Sequence, residues 1–171
     1  MKKRFQSPTY GKLNLRQVVD RVETAISKDK EQEYVIALST DSQCRGKHTC
    51  FVSTVLLYRK GRGGIFFYDK VYEDRIDNIH SRMMMETGKT IDLARDFIGV
   101  IEDDFLNDEF NIYNYNIDLE IHCDFGRGNK SGSAIKDSIA WIKAALYEHN
   151  VLVRVKPEAV GASYVSDHFT R

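Results

Sequence analysis

Four acidic residues stand where a cation-dependent chemistry could be built: Asp41, Glu86, Asp124 and Asp167. Asp41 and Asp124 each follow a short apolar run, Tyr34–Thr40 and Leu119–Cys123, of the kind that forms a buried strand. Two carboxylates brought together past the ends of neighbouring strands repel each other unless one is protonated or a cation bridges them. A hard divalent ion with oxygen ligands, Mg2+ or Mn2+, suits such a pair. Taken singly, either aspartate also reads as a helix cap or a turn residue. Glu86 says more. It follows Met83 by three residues and precedes Thr90 by four, so a helix through this stretch turns the carboxylate toward the sheet, which is costly without a partner. The competing reading is a glutamate at the edge of the stripe, reaching water past Thr87 and Gly88. Asp167 lies in Ser163-Tyr164-Val165-Ser166-Asp167-His168. A short final helix over 161–171 would return it to the same end of the sheet, although a Ser–Asp pair there also reads as a surface cap.

The elements that must position these groups follow from periodicity. Asn14 and Gln17 have the spacing of a capping box, and Leu15, Val18, Val19, Val22 and Ile26 continue as a helical stripe. Tyr34–Thr40, Thr49–Tyr58 and Ile65–Tyr72 read as three strands, the last two joined through Gly61-Arg62-Gly63-Gly64. From Asn78 to Phe105 the period changes: Met83, Thr90, Leu93, Ala94, Phe97 and Ile101 mark one face of a long helix. After the polar connection Asn107–Asn116 comes the fourth strand, Leu119–Cys123. A glycine-rich loop, Phe125–Gly132, leads into a helix with Ile135, Ile139, Ile142 and Leu146 on its apolar face. Asn150 suits a C-terminal cap, and a fifth strand, Val151–Val155, stops at Pro157. Three meandering strands followed by two right-handed crossovers give an α/β domain with a mixed sheet. This element order resembles the ribonuclease H-like fold. The expectation is a single domain over 1–171: five strands in the spatial order 3-2-1-4-5, helices on both faces, and an N-terminal helix. Asp41 and Asp124 then flank the topological switch point, where open α/β sheets place their ligands.

Composition limits the partners. The 171 residues carry 25 Lys and Arg against 25 Asp and Glu, so no global field draws in nucleic acid and any basic footprint must be local. The local candidates are Arg45 and Lys47 with His48, Arg59 to Arg62 on the hairpin, and Arg127 with Lys130. Gly126-Arg127-Gly128-Asn129-Lys130-Ser131 is not a phosphate loop of the Walker type, because Asn129 rather than glycine precedes the lysine. A glycine-rich strand-to-helix turn still exposes backbone amides, so Arg127 and Lys130 either touch a substrate phosphate or decorate a surface turn. His122 reads better as a hydrogen-bonded core histidine than as a ligand, and Met83-Met84-Met85 as core filling. The cysteines, Cys44, Cys50 and Cys123, are odd in number and form no C-x-x-C pair, which favours a reducing compartment. No run of about 18 apolar residues is present, and no apolar segment follows the basic Met1–Arg4. The expectation is a cytoplasmic protein without membrane contact.

Four short motifs in order resemble the YkuK-type ribonuclease H-like proteins, a family of small bacterial proteins. They are Thr40-Asp41-Ser42-Gln43, Ile121-His122-Cys123-Asp124-Phe125-Gly126, Lys156-Pro157 and Ala162-Ser163-Tyr164-Val165-Ser166-Asp167-His168-Phe169-Thr170. The resemblance implies that Asp41, Glu86, Asp124 and Asp167 are metal ligands. Two Mg2+ or Mn2+ ions would sit about 4 Å apart, one activating water and the other stabilising the leaving oxygen. Asp41 would bridge the ions, and His168 would assist product departure or protonate the leaving group. The implied function is a metal-dependent nuclease acting on RNA, RNA–DNA hybrid or structured DNA, with Arg127, Lys130, Arg45 and Lys47 on substrate phosphates. The alternative is a non-catalytic nucleic-acid- or protein-binding module on the same fold. A clustered carboxylate set repels nucleic acid, so it favours the enzyme.

Overall fold

A computed structural model of the chain describes residues 4–124, 132–156 and 158–159. Helix α1, Leu15–Ser27, starts at the expected capping box: the Asn14 side chain accepts the Gln17 N–H, and Gln17 Oε1 accepts the Asn14 N–H, both at 2.9 Å. This closes two of the donors that a helix start leaves open. Val18, Val19, Val22 and Ile26 are fully buried. Three long strands follow: β3 (Tyr34–Arg45), β4 (His48–Arg59) and β5 (Gly63–Asp74). Their two tight turns use left-handed glycines, Gly46 and Gly61, which need no Cβ clearance. Helix α2, Ile79–Leu106, begins at Asn78, whose side chain accepts the Ser81 N–H. Strand β6 (Ile117–Cys123), helix α3 (Gly132–Ala145) and strand β7 (Leu152–Val155) complete the core. Asn150, at φ 48°, turns the chain into β7.

The five expected strands are β3 to β7, and their spatial order is the expected one, with β3, β6 and β7 parallel. Among the described residues the sheet has seven strands rather than five. An N-terminal hairpin, β1 (Phe5–Ser7) and β2 (Gly11–Leu13), adds to the free edge of β5 in the order β2-β1-β5-β4-β3-β6-β7. At three residues each, these strands are too short to display an alternating pattern. They hold because Phe5 and Leu13, register partners, both enter the main core.

A second correction concerns β3. It does not stop before Asp41 but runs to Arg45, because β4 carries an unbroken antiparallel ladder out to the Arg45–His48 pair. The three described helices bury their apolar stripes on one face of the sheet, against Ile36, Leu38, Val55, Leu57, Phe67 and Ile121. Leu93 and Phe97 of α2 have no exposed surface, and burial of such side chains contributes about 1.5–3 kcal/mol each. Among the described residues, the second face carries a small apolar cluster, Ala37 and Leu56 with Val35 and Phe66. The helix expected over 161–171 lies outside the described residues. Among the described residues, no helix is long and apolar enough to cross a membrane.

Candidate active site

The parallel β3–β6 ladder is described as far as the Leu38–Ile121 pair. Carried three residues further, that register sets Asp41 level with Asp124. Leu38 and Ile121 belong to the helix-side core, so strand alternation turns positions 41 and 124 to the second face. The Asp41 carboxylate accepts the N–H of Ser42 at 2.8 Å. The Lys156 ammonium, beyond the end of β7, contacts the Asp124 carboxylate, which is nearly enclosed.

Ser42 points the other way, to the helices, and its hydroxyl donates to Glu86 Oε1 at 2.5 Å. Glu86 sits in the second turn of α2 and is only 8% exposed, so the apolar-stripe reading of its position holds. Its carboxyl is pushed up to about 8. Burial is the largest cause; the charges of Asp41 and Asp124 add to it, and the Ser42 hydroxyl and the Arg82 guanidinium offset part. The neighbouring Cys123 thiol is pushed up to about 12 by burial and by the charge of Glu86. Asp41, within β3, and Asp124, just past β6, therefore both act on Glu86 of α2. Among the described residues, however, no three His, Cys, Asp or Glu side chains stand close enough to grip one ion.

His122, two residues before Asp124, is a buried histidine bonded to Glu120 at 2.6 Å, and Glu120 in turn accepts from Arg154 at 3.1 Å. This is the expected core role. Arg45 and Lys47 are exposed but do not flank Asp41. Arg45 lies four residues further along β3, roughly 13 Å away, because the strand outruns its expected end. The hairpin cations belong to the opposite end of the sheet: Arg59 pairs in register with Tyr34, Lys60 pairs with Glu33 and Asp118, and Arg62 with Asp29. Arg127, Lys130, Asp167 and His168 fall outside the described residues. Cys44, Cys50 and Cys123 are free thiols.

Two side chains at this site carry little signal in the sequence. Ser42 stands inside a motif with no evident role of its own, although its alternation with Asp41 marks it as the strand's contact with the helix side. Arg82 precedes Glu86 by one turn, a spacing that brings side chains together on a helix. Arg82 also donates to Cys44 Sγ at 3.0 Å, which helps hold that thiol below its ordinary range behind the larger effect of Thr49.

Comparison with known proteins agrees with this fold. The family model described as Ribonuclease H-like matches residues 17–171. The chain is 23% identical over 171 residues to the "Uncharacterized protein YkuK" of Bacillus subtilis (strain 168), covering 98% of this chain and 96% of that protein. The crystal structure of RNase H1 from the halophilic archaeon Halobacterium salinarum NRC-1 aligns with 78% of this chain and 96% of its own, at 14% identity and a TM-score of 0.36. That overlap is too loose to carry an argument, and the agreement with the fold rests on the family model.

Proposed function

The chain belongs to the ribonuclease H-like family, and from that premise we propose that it is a divalent-cation-dependent nuclease working at Asp41, Glu86 and Asp124. Its substrates are phosphodiester bonds of RNA, RNA–DNA hybrid or structured DNA, and its compartment is the cytoplasm. The observation that carries this reading is Glu86: a carboxyl buried under a helix, raised to about 8, and acted on by Asp41 and Asp124 from two different strands.

The donor types suit Mg2+ or Mn2+, although the three side chains would have to draw closer to share one ion. They offer carboxylate oxygens at the end of the sheet, the preferred ligands of hard cations, and Asp124 already takes a cationic partner in Lys156. Such ions, when bound, supply an activated water and stabilise charge on the leaving oxygen. Asp41 and Asp124 would hold them from the second face, and Glu86 would close the set from the helix side. Ser42 fixes one Glu86 oxygen and leaves the other to a ligand. Asp167 would supply the fourth carboxylate and His168 a proton for the leaving oxygen. Arg127 and Lys130 would hold substrate phosphates close by, with Arg45 and Lys47 further out. A non-catalytic binding module is the second reading. It is favoured by the Lys156–Asp124 contact, which neutralises one carboxylate within the protein.

Cleavage assays separate the two readings. End-labelled RNA, RNA–DNA hybrid and structured DNA are incubated with Mg2+, Mn2+ or a chelator. The nuclease cuts at least one of them with Mg2+ or Mn2+, and Asp41→Asn lowers the rate at least about 100-fold, since losing even an outer partner of a metal ligand costs up to that much. Intact substrates throughout, with the wild-type protein, contradict the proposal.

A further inference from the structure

At the amino end of β6, away from Asp41 and Asp124, the helix side of the molecule opens into a cavity of about 340 Å3. Buried Ile98 and Ile101 of α2 form its floor. Ile117 and Leu119 of β6, partly buried and packed on the core, form a second wall. Two single 3-10 turns, Ile112–Asn114 and Tyr147–His149, supply the remaining sides. Both turns are fastened. The Asn111 side chain accepts the Tyr113 N–H at 3.0 Å, the Tyr115 N–H donates to the Ile112 carbonyl at 3.2 Å, and the His149 N–H donates to the Leu146 carbonyl at 3.1 Å. Tyr115 stacks on Phe110, ring centroids 5.1 Å apart, and has Lys30 Nζ 5.9 Å over its ring, so it is a fixed wall rather than a free platform. The cavity is therefore formed in advance, at the lower end of the range that holds small molecules, about 300–1,000 Å3.

The carboxylates of Glu102 and Glu148 line this cavity together with His149, whose Nδ1 stands 3.3 Å from Glu102 Oε1. Among the described residues no lysine or arginine lines it, and the Glu148 side chain has no described partner. With the imidazole neutral the mouth carries two negative charges, and with it protonated it still carries one. An anion is repelled in both states, and a neutral molecule gains nothing from the acids. We propose that this cavity binds a small organic cation: a compact apolar body of one or two rings against the isoleucines and Leu119, with its ammonium at Glu148 and Glu102. Burial of the body supplies most of the affinity, and the carboxylates select the sign of the charge. The site stands apart from the nuclease reading. Leu119 lies roughly 17 Å along β6 from Asp124, and Glu102 roughly 24 Å along α2 from Glu86, so the occupant touches neither carboxyl.

Titration of the isotope-labelled full chain, followed through its amide NMR signals, tests this with three probes that share one ring system: tryptamine, a cation; indole, neutral; and indole-3-acetate, an anion. Tryptamine shifts the amides of residues 98–102 and 148–150 saturably and binds at least about fivefold more tightly than indole-3-acetate. Glu148 is exposed, so Glu148→Gln leaves the fold alone; it weakens tryptamine about threefold and leaves indole unchanged. Mn2+ affinity is the same with and without tryptamine. No saturable shift with tryptamine up to about 10 mM, or shifts confined to other amides, overturns the site. Indole-3-acetate binding as tightly as tryptamine, or tryptamine affinity unchanged in Glu148→Gln, overturns the choice of a cation. Loss of Mn2+ binding in the wild type would count against the metal site alone and leave this one standing.

Discussion

Two groups of buried carboxyls sit near opposite ends of α2, and each pushes one glutamate up to about 8. At the far end, Asp104 is 1% exposed and contacts the Arg16 guanidinium, which also reaches Asp20 at 2.9 Å and Glu109 at 3.2 Å. Half-buried Glu23 is raised first by burial, then by its hydrogen bond to Asp104 and by that residue's charge. Glu23 Oε1 and Asp104 Oδ2 are both buried without another donor among the described residues, so a proton on Glu23 satisfies the pair. That group is closed: a guanidinium and a shared proton balance it from within. At the near end, Glu86 is held by a neutral hydroxyl, and Arg82 acts on it only through its field. A raised carboxyl alone therefore does not separate a structural knot from a ligand site. What differs is the neighbouring carboxylate: Arg16 contacts Asp104, which shares the Glu23 proton, and Lys156 contacts Asp124, whereas among the described residues Glu86 itself is contacted by a hydroxyl alone.

The comparison can be broken at either end. Arg16→Ala leaves Asp104 buried beside Glu23 without its guanidinium. Removing one partner of a buried pair costs about 3–5 kcal/mol, and the half-exposed position of Arg16 puts the expected loss near the low end, about 3 kcal/mol. Denaturant unfolding measures it, and Mn2+ affinity should not change. Ser42→Ala acts at the other end. It frees the Glu86 oxygen that the hydroxyl fixes, with an expected loss of about 10-fold in Mn2+ affinity and little change in unfolding midpoint. The smallest effect is on pH dependence. Glu23 has a folded value raised from 4.5 to about 8, so the folded state binds a proton that the unfolded state releases, and stability falls as pH rises across that window. Glu23→Gln should flatten the decline between pH 5 and about 8, read from unfolding midpoints against pH; an equally steep decline in the variant assigns it to other groups.

Much of this is legible in the amino-acid sequence, for local reasons. The Asn14–Gln17 box, the left-handed Asn150 and the stripe that buries Glu86 each depend on neighbours within a turn or two, and each is seen. The features that escape a sequence reading depend on distant partners. The three-residue strands β1 and β2 exist because β5 offers an edge to Gln6 through Tyr68. β3 continues past Asp41 because β4 is there to pair with it, and the same extension carries Arg45 away from the carboxylates. Ser42 looks like a bystander in its motif because nothing in its sequence neighbourhood tells of Glu86, 44 residues on.

The central claim is that Asp41, Glu86 and Asp124 hold a divalent cation together, and calorimetric titration with Mn2+ tests it most directly. Wild-type protein and Glu86→Gln are titrated side by side, with matched unfolding midpoints as the control for folding. Gln keeps the shape at the Ser42 contact and removes the charge. The account predicts saturable binding by the wild type and a loss of at least about 100-fold in affinity in Glu86→Gln. Equal Mn2+ affinity in the two proteins would contradict it.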